Sequence, residues 1–131
     1  MPAKQTSGKA EGIREGLKKA TTEMLVLFML RRKPMYTYEM MSTIEELSEG
    51  KIVFNTLYQA IYRLQKFGYI RESGKVVSEE NRVRIYFAIT ESGQKYLDEL
   101  IEQYRATVST IDRVLASDSK SAKESRDVQT A

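Results

Sequence analysis

One stripe near the C-terminus constrains this chain more than any other feature. Leu97, Ile101, Tyr104, Val108, Ile111 and Leu115 follow one another at steps of 4, 3, 4, 3 and 4 residues. That is the a/d spacing of a heptad seam, and Leu100 and Val114 widen it. It calls for a long helix, expected over 91–116, with Thr90 as its N-cap. The segment ahead of it is small, so the stripe exceeds what that segment can cover. The expected cover is a second copy of the chain, and packing wholly within one subunit is the alternative.

The rest of the chain narrows the chemistry. Its 131 residues suit one domain with ragged ends. It contains neither cysteine nor histidine, which removes disulfides, thiolate metal sites, the cysteine nucleophile and the usual base of neutral-pH catalysis. No Gly-rich phosphate loop or other catalytic motif occurs. The carboxylate pair Glu79-Glu80 falls in an expected turn, without the rigid support that a catalytic acid needs. No enzyme activity and no cofactor are expected. No apolar run approaches the roughly 18 residues of a membrane span, and the N-terminus lacks the apolar stretch of a signal peptide, so a cytoplasmic protein is expected.

Ahead of the stripe the pattern reads as three helices and a hairpin. Residues 1–12 are polar and read as a disordered arm. A helix is expected over 13–32, where Leu17, Thr21, Met24, Leu25 and Phe28 share a face, and Pro34 stops it. A second helix is expected over 37–48, capped by Thr37, buried through Met41, Ile44 and Leu47, and closed by Gly50. A third is expected over 55–67, with Leu57, Ile61 and Leu64 as its core stripe and Gly68 at its end. The hairpin comprises short strands at 69–71 and 75–77 around Ser73-Gly74, a turn at 78–81, and a returning strand over 82–89. Residues 117–131 have few apolar side chains and read as a disordered tail. The expected fold class is therefore α+β, mainly α. It is a winged helix-turn-helix over 13–90 with a two-stranded wing, followed by a C-terminal dimerisation helix.

Charge is distributed unevenly along this order. Residues 1–34 carry eight basic and three acidic side chains, 35–50 four acidic and none basic, and 51–90 seven basic and three acidic. The basic middle block coincides with the third helix and the hairpin, which suits a polyanion. In a helix-turn-helix the second helix of the pair enters the major groove, here the helix over 55–67. At 100° per residue from Leu57, the side chains of Tyr62, Asn55, Lys66 and Gln59 fall between about 140° and 200°. Tyr58, Thr56 and Arg63 flank them, and the helix has no acidic residue. Asn and Gln can pair bidentately with adenine, and Arg63 can reach guanine or a phosphate. Arg82 and Arg84 at the base of the returning strand, with Lys75 opposite, would supply phosphate contacts from the wing. An amphipathic helix and a hairpin with ordinary solvated charges would show the same residues.

Three segments resemble the PadR-like regulators, bacterial winged-helix repressors. They are PMYTYEMMSTIEE at 34–46, NTLYQAIYRLQKFGYI at 55–70 and RIYFAITESGQKYL at 84–97. With the apolar first helix the resemblance spans about 14–116, and it is nearest to the short-tailed branch with one C-terminal dimerisation helix. It implies a homodimer on a pseudo-palindromic operator in double-stranded DNA, with the first helix of one subunit on the last helix of its partner, which brings Leu17 into the interface. It also implies DNA contacts by Thr56, Tyr58, Arg63, Arg82 and Arg84. Three positions depart from the family pattern. Thr37 stands where glycine is usual, Val53-Phe54-Asn55 replace a polar cap and a Pro-Gly-like pair, and the wing tip is acidic (Ser78-Glu79-Glu80-Asn81).

Tyr104 is a bulky aromatic in an otherwise aliphatic seam. Its hydroxyl needs a partner, so it can hold paired helices apart and leave a slot for a small planar aromatic effector. Packing at the helix edge with the hydroxyl in water is the alternative. A winged-helix protein-interaction module that does not read DNA sequence is the competing function.

Overall fold

A computed structural model describes residues 8–130, with side chains as far as Asp118. The first helix, α1 (Glu11–Arg32), starts two residues before its expected position, and the remainder of the expected arm, 1–7, lies outside the described residues. Arg31 and Arg32 in its last turn complement the negative end of the helix dipole. Val26, Leu27, Met29 and Leu30 are all buried, as an apolar-all-round segment requires. The chain then runs through a two-residue strand β1 (Met35–Tyr36) into α2 (Thr37–Leu47). Tyr36, not Thr37, occupies the N-cap position of α2.

The buried residues of α2 are Met40 and Ile44, while Leu47 is exposed. The expected spacing of Met41, Ile44 and Leu47 fails for a geometric reason. A step of three residues turns only about 300°, so two such steps drift about 120° around the helix. Met40 and Ile44, four apart, stay on one face.

The recognition-type helix is α3 (Tyr58–Lys66), three residues shorter at its start than expected. Asn55 and Thr56 therefore lie in the loop before it, and Leu57 takes the N-cap position without a side-chain cap. Ala60, Ile61 and Leu64 form its buried face beside the fully buried Leu57. Gly68 stops the chain beyond it with φ +77°, a left-handed conformation that costs glycine little.

The hairpin consists of β2 (Ile70–Val77) and β3 (Val83–Ile89), with β3 central in a three-stranded antiparallel sheet of order β1-β3-β2. Two findings differ from expectation. The pieces at 69–71 and 75–77 form one continuous strand, in which Ser73 is accommodated by a register shift between Glu72 and Gly74. The sheet also gains β1, with Met35 paired to Phe87 and Tyr36 to Tyr86. The wing turn at 78–81 ends on Asn81 at φ +63°, a conformation that asparagine tolerates.

The last helix, α4 (Glu91–Thr130), starts where expected: Thr90 Oγ1 accepts the backbone N–H of Gly93. Its backbone runs on past the expected stop at 116 through the expected tail. Ala131 and the side chains beyond Asp118 lie outside the described residues. Gly93 is required by close approach, because a Cβ there would run into the carbonyl of Tyr69. The Thr90 N–H bonds that same carbonyl at 3.0 Å, while Thr90 Oγ1 donates to the Gly68 carbonyl at 2.7 Å.

By compactness the chain divides after Leu97. The first unit is the winged helix, with a core built from α1, α2, α3, the sheet and Leu97. Among the described residues no buried side-chain polar atom lacks a hydrogen-bond partner. The second unit is the remainder of α4. Leu97 corrects one expectation: it is fully buried within its own chain, so it does not belong to an open seam.

Candidate nucleic-acid interface

The exposed face of α3 is built from Tyr58, Gln59, Tyr62 and Lys66, all open to solvent, with Tyr58 74% exposed. Burying Ala60, Ile61 and Leu64 forces these positions outward. Asn55 and Thr56 extend the same edge from the preceding loop. Thr56 Oγ1 accepts the backbone N–H of Tyr58 at 3.2 Å, which satisfies one of the donors that open the helix.

Two grooves flank this edge. The wing-side groove, about 840 Å³, is lined by Thr56, Tyr58, Tyr62, Arg82, Arg84 and Tyr36 among others. The groove on the α1 side, about 500 Å³, contains Asn55, Gln59 and Arg63 with Lys18 and Lys19. Thr56 and Tyr58 line both. Lys66 and Lys75 line neither. Lys75 pairs with Ile85 and Arg84 with Val76. Since cross-strand partners share a face and neighbours alternate, Lys75 and Arg84 leave opposite faces of the hairpin.

The arginines differ in how they are held. Arg84 donates from Nη1 to the Tyr36 hydroxyl at 2.7 Å, and its guanidinium lies 4.6 Å from the centre of the same ring. Tyr36 in turn stands edge-on to Tyr86 at 5.3 Å. Arg82 is exposed, 3.8 Å from Glu80 of the wing tip. Arg63 is turned back: its Nε donates to Glu23 Oε1 of α1 at 2.6 Å. The expected DNA contact of Arg63 would thus start from a half-exposed side chain already paired with Glu23. Tyr96, stacked on Tyr69 at 4.2 Å, shares the surroundings of Glu23. Burial, then the Glu23 carboxylate, push its phenol above the usual tyrosine value.

Tyr36 was not recognisable in the sequence as a site residue. It sits in a two-residue strand, and its partner Arg84 is 48 positions away. The basic positions Lys18 and Lys19 were visible as charge, but helical periodicity gave no sign that they border the start of α3.

Of the other expected site residues, Leu17 is half exposed on α1, Ile101 and Val108 are half-buried, and Tyr104, Ile111 and Leu115 are 41%, 51% and 68% exposed. The described residues contain no acidic cluster able to hold a metal, and no helix long and apolar enough to cross a membrane.

The architecture agrees with known proteins. The family model for the PadR-like transcriptional regulators matches residues 26–99, more than half of the chain. Among solved structures, a transcriptional regulator from Clostridium thermocellum is 29% identical with a TM-score of 0.66, covering 75% of this chain and 96% of its own. A PadR-family regulator from Eggerthella lenta is 26% identical with a TM-score of 0.68, covering 80% and 90%. A protein from Streptococcus mutans is 28% identical with a TM-score of 0.60, covering 73% and 87%. No curated protein matches. The family and the regulators among these neighbours act in transcription, not in catalysis. The chain belongs to the PadR-like family of winged-helix transcriptional regulators.

Proposed function

We propose that this chain is a cytoplasmic repressor that acts as a homodimer on a pseudo-palindromic operator and responds to a small planar effector. The observation that carries the DNA reading is the acid-free outer edge of α3, flanked by a wing arginine already fixed in place by Tyr36. Asn55, Gln59 and Tyr62 present hydrogen-bonding groups to base edges. Arg82, Arg84 and Lys66 meet phosphates, which position the protein without reading sequence. Lys75, on the other face of the hairpin from Arg84, is left to longer-range attraction.

The dimer reading rests on the exposed apolar side chains of α4 from Tyr104 to Leu115, with Ile101 and Val108 between and before them and Leu17 of α1 added. The effector reading rests on Tyr104, whose partial exposure leaves ring surface for stacking. The acidic wing tip, Glu79 and Glu80, is the one observation that favours a protein-interaction module, because it repels phosphates.

The test is binding of a duplex from the region upstream of the coding sequence, against random duplex, over a range of salt. The expected result is preference for the upstream duplex, with affinity falling steeply as salt rises. Arg84→Ala should weaken every duplex and lower the salt slope by about one per bound subunit. Equal binding to both duplexes would overturn the regulator reading. In the same assay a planar cationic dye should release the wild type and spare Tyr104→Ala.

A further inference from the structure

The edge of α3 is a ridge between two troughs, and only the wing-side trough has a phosphate strand assigned to it by the proposed function. We propose that the trough between α1 and the start of α3 seats the second sugar-phosphate strand bordering the major groove, with Lys19 as its phosphate contact and Lys18 as its brace. This rests on the reading of α3 as the groove-entering helix.

A helix with its side chains is about 10–12 Å across, and the major groove is about 12 Å wide. A helix seated there has a phosphate strand on each flank. One strand meets the wing and its arginines. The other needs donors on the opposite flank, and the about 500 Å³ trough there contains Lys18, Lys19 and Arg63.

The three cations are not equivalent. Lys18 Nζ donates to the Val53 carbonyl at 2.9 Å, pairs with Glu15 at 3.4 Å and lies 5.4 Å from the centre of the Phe54 ring. It is engaged in holding the loop before α3 against α1. Arg63 is paired with Glu23 at 2.6 Å. The carboxylates of Glu15 and Glu23 are thus each matched by a cation. Lys19 is exposed and makes no ion pair or hydrogen bond among the described residues. It is the uncompensated charge of the trough, and a flexible, exposed ammonium is suited to a phosphate oxygen. Thr56 and Tyr58, which line both troughs, would then face the groove between the two strands.

The experiment compares Lys19→Gln, Lys19→Arg and Arg84→Ala with wild type on the upstream duplex, by affinity over a salt series and by phosphate-ethylation interference. Lys19→Gln is expected to lose about fivefold in affinity per bound subunit for all duplexes at physiological salt and to lower the salt slope by about one per subunit, about two for the dimer. Lys19→Arg should keep both. Within each half-site, ethylation should cease to interfere at phosphates of one strand in Lys19→Gln and at phosphates of the other strand in Arg84→Ala. An unchanged slope and ethylation pattern in Lys19→Gln, with Arg84→Ala still changed, would overturn the second strand site and leave the regulator reading intact. A wild type that does not bind duplex would overturn both.

Discussion

Leu97 and Leu115 belong to one stripe on one helix, yet Leu97 is fully buried in its own chain while Leu115 is 68% exposed. Periodicity reports that a face is apolar; it does not report what covers that face. Up to Leu97 the cover is the winged-helix core. Among the described residues beyond it, α4 keeps the spacing but leaves large apolar groups open to water, which a lone subunit gains nothing by exposing. The two parts of the stripe therefore have different dependence on other chains. The first should be stable by itself, and the second should depend on concentration.

The largest expected effect attacks the second part. In the proposed dimer, Ile111→Asp would place a carboxylate twice, once from each subunit, in a seam where an unpaired buried charge costs several kcal/mol. Analytical ultracentrifugation should show monomer, with the winged-helix circular dichroism retained. An unchanged dimer mass would break the comparison by showing that the exposed stripe is not the seam.

Leu64→Ala attacks the first part. Leu64 is 1% exposed, and truncating a buried leucine costs about 2–5 kcal/mol. Chemical unfolding of the winged-helix signal should show that loss without any change in subunit association. A smaller loss that varies with protein concentration would mean that the core is not self-sufficient.

The smallest effect sharpens the boundary itself. Tyr96 lies one residue before Leu97, and its phenol titrates above the usual tyrosine value because of burial and Glu23. The unfolded chain ionises this group near pH 10, before the folded chain does. Its contribution is therefore complete below about pH 10 and is lost as pH rises through the folded value. Thermal melts between pH 9 and 11 should show a slightly smaller alkaline loss in Tyr96→Phe than in wild type. Equal losses would place Tyr96 outside the packed boundary.

Sequence patterns reached most of the framework. Leu57, Ile61 and Leu64 at steps of four and three predicted the buried face of α3, and Thr90 as a cap predicted how α4 begins. What escaped prediction depends on contacts distant in sequence. β1 is two residues long and exists because Phe87 and Tyr86 pair with it. A pattern of period two cannot be seen in two residues. Asn55 looked like a helix opener, whereas the helical bonds begin with Ile61 N–H to the Leu57 carbonyl. The angle of Arg63 on α3 placed it near the polar face but could not show that Glu23, 40 residues earlier, pairs with it. Composition and periodicity place side chains on faces, and electrostatic pairing across elements then redirects the long ones.

The clamp of Tyr36 on Arg84 has a consequence in entropy. A free arginine side chain carries about 2 kcal/mol of rotamer entropy, which a phosphate contact must give up on forming. The hydrogen bond and the ring beneath the guanidinium remove much of that freedom when the chain folds. On the proposed operator Arg84 would thus meet a phosphate with the ordering already done, whereas Arg82, exposed beside Glu80, would be ordered only on arrival. Of the two wing arginines, Arg84 should govern how long the complex lasts and Arg82 how quickly it forms.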